Sequence, residues 1–272
     1  QQIAEKLTQI AYLPIEQARL QLQQLAFEPK TLLPTVELAF MQVQLASKQG
    51  NWIAAKRLGA KLLTRAAKHP DLLHLLGAVA LREEDYPNAQ AYMAQSLEQK
   101  PDSAIFLYDY GLVLQKQRNL SEAVVFYEKA LSLDATLSQA HNNWANILAE
   151  QGDMAGAEFH YSEVLAQRPD DAQTHNNLGV LFKKTERLPE AIEHYRRAIE
   201  YGLANYQVYA NLANGLINTG ELDEAEVCYR NALEYNEKSA YLFSGLADIL
   251  RESGRLEESL AYYQQSIELE PD

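Results

Sequence analysis

The chain has one cysteine, Cys228, among its 272 residues. That excludes an intrachain disulfide and a thiolate cluster for zinc. A reducing compartment such as the cytoplasm fits, and a cysteine-poor periplasmic protein would look the same. Basic residues are scarce too: 24 Lys and Arg stand against 37 Asp and Glu, a formal charge of −13. Binding a phosphate backbone or an anionic membrane surface needs a basic face, so nucleic acid is set aside as a partner. No apolar run approaches the roughly 18 residues that span a bilayer, so no membrane insertion is expected. Catalytic signatures are missing as well. The sequence contains no HExxH, no Gly-rich phosphate loop, no dinucleotide fingerprint and no nucleophile elbow. Glu257 and Glu258 are adjacent on one helix and diverge, so they make no catalytic dyad. The chain as given reads as a non-enzyme that needs no cofactor and no metal.

What the sequence does have is a period of 34 residues. From Gly77 the steps reach Gly111, Ala145, Gly179, Ala213 and Ala247, all small. From Ala55 they reach Ala89, Ala123, Ala157, Ala191, Ala225 and Ser259, again all small. An aromatic track follows Met93 through Tyr127, Tyr161, Tyr195, Tyr229 and Tyr263. A branched aliphatic track runs Leu63, Leu97, Leu131, Leu165, Ile199, Leu233 and Ile267. Small residues belong where two helices cross closely, and the larger ones fill the space toward the next hairpin. Apolar residues spaced three and four apart, as in Leu107, Tyr110, Gly111 and Leu114, make the stripe of an amphipathic helix. Gly50, Gly152, Gly220 and Gly254 share one phase, where a left-handed residue ends the first helix of a unit. Pro87 and Pro189 share another, expected at the first residue of the second helix.

Small, small and aromatic positions, with a proline at the unit's end in Pro101, Pro169 and Pro271, in a 34-residue helix-turn-helix resemble the tetratricopeptide repeat. The resemblance implies an all-α fold, a right-handed superhelical solenoid of antiparallel helical hairpins. It covers six units, 70–103, 104–137, 138–171, 172–205, 206–239 and 240–272, in one continuous solenoid. Residues 36–69 form a degenerate unit, with Gln42 and Gly59 off the pattern. Residues 1–35 read as N-terminal helices, either a cap or an eroded repeat. In this family the first helix of each unit lines the concave side.

That face carries a second periodic pattern unrelated to packing. Gln139, Gln173 and Gln207 are 34 apart, and Asn143, Asn177 and Asn211 each follow four residues later. One helical turn places each Gln and Asn on the same face. Asn146 and Asn214 extend the pattern, and Asn142 and Asn176 flank it. In the neighbouring units the Asn position is Leu75, Asp109 or Gly245 instead. A carboxamide offers both a donor and an acceptor, matching a peptide unit. First helices about 10 Å apart would meet every third residue of an extended strand that rises about 3.3 Å per residue. The pattern is similar to the asparagine ladder of O-linked N-acetylglucosamine transferases, which grips extended protein substrates. The expected function is therefore a protein-interaction scaffold holding an extended peptide segment in its concave groove, with Lys183 close by to meet an acidic side chain. The Lys and Asn clamp that grips chaperone C-termini does not carry over: the matching Lys positions hold His74, Tyr108, Asn142, Asn176, Ala210 and Ser244.

His141 and His175 share an apolar phase and read as core residues. His160, His194 and Cys228 form a track whose members lie about one helix-packing distance apart, too far for one zinc ion. Two further readings remain open. The last helix carries Leu260, Tyr263 and Ile267, which in earlier units face a following hairpin. The chain could thus be the substrate-presenting part of a larger glycosyl- or sulfotransferase-like enzyme. Two copies could also pair into a homo-oligomer through such ends or through their grooves.

Overall fold

The structure is a computed structural model that describes Gln17 and residues 35–270. The N-terminal helices expected over residues 1–35 fall, apart from Gln17 and Thr35, outside the described residues.

The described residues contain no strand. They form fourteen helices, in two compact units divided in the chain between Leu137 and Ser138. In the first unit α1 (Thr35–Lys48) pairs with α2 (Trp52–Leu63), α3 (Pro70–Arg82) with α4 (Tyr86–Gln99), and α5 (Ala104–Lys116) with α6 (Leu120–Leu133). In the second, α7 (Ser138–Gln151) pairs with α8 (Met154–Gln167), and α9 (Ala172–Lys184) with α10 (Leu188–Glu200). The last two hairpins there are α11 (Tyr206–Thr219) with α12 (Leu222–Tyr235), and α13 (Ala240–Glu252) with α14 (Leu256–Leu269). Within each unit every hairpin also packs on the next, as α12 does on α13.

The small-residue tracks mark the helix crossings. Ala89, Ala123, Ala157 and Ala225 have no exposed surface. Ser259 takes the same place and satisfies its hydroxyl by donating to the Ala247 carbonyl at 2.8 Å. The glycines sit against the aromatic track: a Cβ on Gly111 would lie 2.9 Å from the Tyr127 ring, and one on Gly179 would lie 2.6 Å from the Tyr195 ring. Tyr127, Tyr195 and Tyr229 are the largest fully buried side chains.

Turn chemistry sets the hairpins. Asp85, Ser103, Asp153, Asp171 and Ser239 each accept a backbone N–H in the first turn of the helix that follows, satisfying a donor that the helix itself leaves unpaired. Pro87 and Pro189 occupy the second helical residue rather than the first. Nothing is lost by the shift, because the N–H there also has no intrahelical partner. Every first helix is followed by a left-handed residue at the same register of its paired turn. Glycine does so at Gly50, Gly152, Gly220 and Gly254, yet Glu84, Arg118 and Glu186 hold the same conformation at φ 59, 66 and 60°. A side chain there is strained by about 1–2 kcal/mol. Glu84→Gly is expected to stabilise the protein by about 0.5–1 kcal/mol in urea unfolding. A loss of stability would mean that the turn is not strained.

Candidate functional site

The carboxamide residues all lie in the second unit, on α7, α9 and α11. Gln139, Gln173 and Gln207 are exposed, while Asn142, Asn143, Asn146, Asn176, Asn177, Asn211, Asn214 and Lys183 are half-buried. Gln173, Asn176, Gln207 and Asn211 come together around one pocket of about 450 Å³. Its other walls are Val180, Leu203, Asn205, Tyr206, Val208, Ala210 and Tyr241. No charged side chain lines it.

Several of these amides hold the scaffold together as well as facing the groove. Asn177 donates to the Asn142 and Asn146 oxygens at 3.3 and 3.4 Å and accepts from the Gln173 amide at 3.0 Å. Asn146 also accepts the Tyr161 hydroxyl at 2.6 Å. Asn214 accepts the Tyr229 hydroxyl at 3.0 Å and donates to the Ala210 carbonyl and the Tyr241 hydroxyl at 2.8 and 2.7 Å. Lys183 reaches the Asn211 oxygen at 3.4 Å. Asn143 is likewise engaged within the chain.

Asn146 and Asn214 thus anchor the buried tyrosine fifteen positions later, and Asp248 does the same for Tyr263. Val180 fills this register in the hairpin between them, and the Tyr195 hydroxyl is buried without a partner. Burial drives the Tyr195 phenol well above its ordinary range and the Tyr161 phenol to about 12, so both stay protonated. Removing an unpaired buried hydroxyl costs nothing and saves its desolvation, whereas removing a paired one loses a hydrogen bond. Tyr195→Phe is expected to leave stability unchanged or raise it by up to about 1 kcal/mol, and Tyr229→Phe to lower it by about 1 kcal/mol. Equal losses in thermal unfolding would contradict this assignment.

The sequence reading placed the histidines in the core but missed their pairing across each hairpin. His141 Nδ1 meets His160 Nδ1 at 2.8 Å, and His175 Nδ1 meets His194 Nδ1 at 2.9 Å. The His175 Nε2–H donates to the Pro169 carbonyl at 3.0 Å. Its Nδ1 is therefore the acceptor, and His194 carries its proton on Nδ1. Burial, and next the neighbouring histidine, hold His160 and His194 down to about 4, so both are neutral near pH 7. Cys228 sits in the same register in the following hairpin, and burial pushes its thiol up to about 11, which makes it inert. Among the described residues no three His, Cys, Asp or Glu side chains converge on a metal position.

Tyr206 and Tyr241 were also missed as lining residues. Tyr241 continues the Gln139, Gln173, Gln207 phase, so stepping that track once more would have found it. Among the described residues no helix is long and apolar enough to cross a membrane.

Helical hairpins stacked one on the next within each unit define a helical-repeat solenoid, a class of protein-interaction scaffold. Profiles described as tetratricopeptide repeat match residues 136–201, and residues 74–138 and 211–272. The chain belongs to the tetratricopeptide repeat family. A search of curated proteins finds no match. Among solved structures, YrrB, a TPR protein with an unusual peptide-binding site, is 22% identical with a TM-score of 0.61, over 66% of this chain and 93% of that one. Pseudomonas aeruginosa pilF is 20% identical with a TM-score of 0.65, over 74% and 92%. The C-terminal part of a TPR repeat-containing protein from Cytophaga hutchinsonii is 15% identical with a TM-score of 0.68, over 85% and 95%. At these identities the likeness speaks to the fold.

Proposed function

We propose that the pocket on α9, α11 and α13 binds an extended segment of a partner polypeptide, with Gln173, Asn176, Gln207 and Asn211 contacting its main chain. The observation that carries this reading is the convergence of five carboxamides, these four and Asn205, on one uncharged pocket. Asn205 accepts the Gln207 main-chain N–H, but the side chains of Asn176 and Gln207 make no hydrogen bond among the described residues, so their amide groups are available to a ligand. Gln139, Asn142 and Asn143 on α7 extend the same carboxamide face. Asn146, Asn177 and Asn214 act chiefly as braces that hold the face in register. The peptide-binding site of the similarly folded YrrB adds support.

Each amide contact contributes about 0.5–1.5 kcal/mol. The Asn176→Ala, Gln207→Ala, Asn211→Ala triple variant should therefore lose a bound partner's affinity by about a hundredfold while keeping its helicity. Pull-down from native lysate, followed by titration of the captured partner, measures this. Equal affinity for the wild type and the triple variant would move the binding site off this face.

A further inference from the structure

The hydrogen-bonding polarity of the groove narrows the kind of segment it takes. The inference rests on the peptide-groove reading above. The amide oxygens of Asn142, Asn146, Asn177, Asn211 and Asn214 are all occupied by donors from within the chain. Two of these orientations are fixed by chemistry. An ammonium can only donate, so Lys183 claims the Asn211 oxygen. A carbonyl can only accept, so Ala210 claims the Asn214 nitrogen. Of the residues lining the pocket, Asn211 and Asn205 (whose oxygen accepts the Gln207 and Val208 N–H groups) have their NH₂ ends left for a ligand. Tyr241 accepts from Asn214, and its hydroxyl also interacts with that of Tyr229, so it offers the pocket its ring rather than a donor. Gln173 has its NH₂ taken by Asn177 and presents its oxygen, while Asn176 and Gln207 present both ends, so four NH₂ ends face the pocket against three amide oxygens.

Its other walls are the rings of Tyr206 and Tyr241 and the aliphatic side chains of Val180 and Leu203. Tyr241 is 55% exposed and Tyr206 36%, so both rings are open to a partner. No carboxylate or cation lines the pocket, in a protein of formal charge −13. Lys183 stands behind Asn211 with its ammonium on that residue's oxygen, so a cationic side chain entering the pocket would be desolvated without a counterion.

We propose that the pocket is selective for an uncharged proline-rich segment in the polyproline II conformation. Such a segment is rich in carbonyl acceptors and poor in donors, because each proline lacks an N–H. Its rings pack on aromatic faces while side-chain donors reach its carbonyls. An ordinary β-strand brings one N–H per residue, and near Asn205 and Asn211 those N–H groups meet other donors. Polyproline II is also largely ordered before binding, so less conformational entropy is lost on docking.

The test is fluorescence anisotropy with labelled dodecaproline and with an uncharged, proline-free peptide of the same length. The proteins are wild type, Asn211→Asp, Tyr206→Ala and, as a control outside the pocket, Phe159→Ala. Asn211→Asp keeps the shape and the Lys183 contact but turns the remaining donor into an acceptor. Circular dichroism checks that each variant is folded. Dodecaproline should bind at least about tenfold more tightly than the proline-free peptide, and should lose about tenfold in Asn211→Asp and in Tyr206→Ala. Binding of the proline-free peptide that equals or exceeds that of dodecaproline, and persists in Asn211→Asp, would overturn the proline preference while keeping the peptide groove. If neither peptide binds, or if binding is indifferent to Asn211 and Tyr206 alike, both the preference and the groove reading fall.

Discussion

Acidification from neutral to about pH 4 is expected to cost on the order of 3 kcal/mol of stability for each buried histidine pair. The cause is geometric. His141 faces His160, and His175 faces His194, across their hairpins. Trp144 and Phe159 pack on His160, and Phe182 packs on His194. A first proton must be desolvated there. A second would set two Nδ1–H donors against each other. Asp153 favours the charged form of His160, as Glu193 does for His194, while Arg187 and Arg197 oppose it, and burial outweighs them all.

The sign follows from the lowered folded-state values. His160 and His194 fall from 6.5 to about 4 on folding. Between those values the unfolded chain binds more protons. The contribution is therefore complete above about pH 6.5 and is lost as the pH falls toward 4. His141→Leu with His160→Phe copies the Leu107 and Phe126 found at the same register two helices earlier. Urea unfolding should give this double variant a pH dependence shallower than wild type by on the order of 3 kcal/mol between pH 7 and 4. Parallel curves would show that the pair does not report protonation.

The second large effect is at a helix crossing. Gly179→Val is expected to destabilise the protein by about 3 kcal/mol. A Cβ there would lie 2.6 and 2.7 Å from two atoms of the Tyr195 ring, which is fully buried and cannot swing away. Gly179→Ala should cost about 1–2 kcal/mol, since the same clash arises without the extra branches. Calorimetric unfolding gives both values. A Gly179→Val melting temperature equal to wild type would mean that α9 and α10 do not cross as closely as described.

The crossings were legible because close contact permits only small side chains, and the period repeats that demand in Gly77, Gly111, Ala145 and Gly179. Other features were hidden for physical reasons. Glycine announces a left-handed turn, whereas Glu84, Arg118 and Glu186 adopt it under the constraint of the paired turn, and only their common phase with Gly50 betrays them. The histidine pairs escaped because the tracks were compared from unit to unit, while the contacts run across a hairpin, nineteen residues apart. The carboxamide pattern was plain in sequence, but its division of labour was not. Whether an amide faces a ligand or braces a tyrosine depends on which end of it is already bonded, as the Tyr161 and Tyr229 hydroxyls on Asn146 and Asn214 illustrate.

The most direct test of the central claim is site-specific photo-crosslinking. A photoreactive amino acid replaces Gln207 in the pocket or, in a second protein, the exposed Phe159 on α8, and each is irradiated with the captured partner. The account predicts crosslinks from position 207, mapping to one short segment of the partner, and none from position 159. Crosslinks from position 159 alone would contradict it, placing the partner on the second helices and leaving the carboxamide face without a ligand.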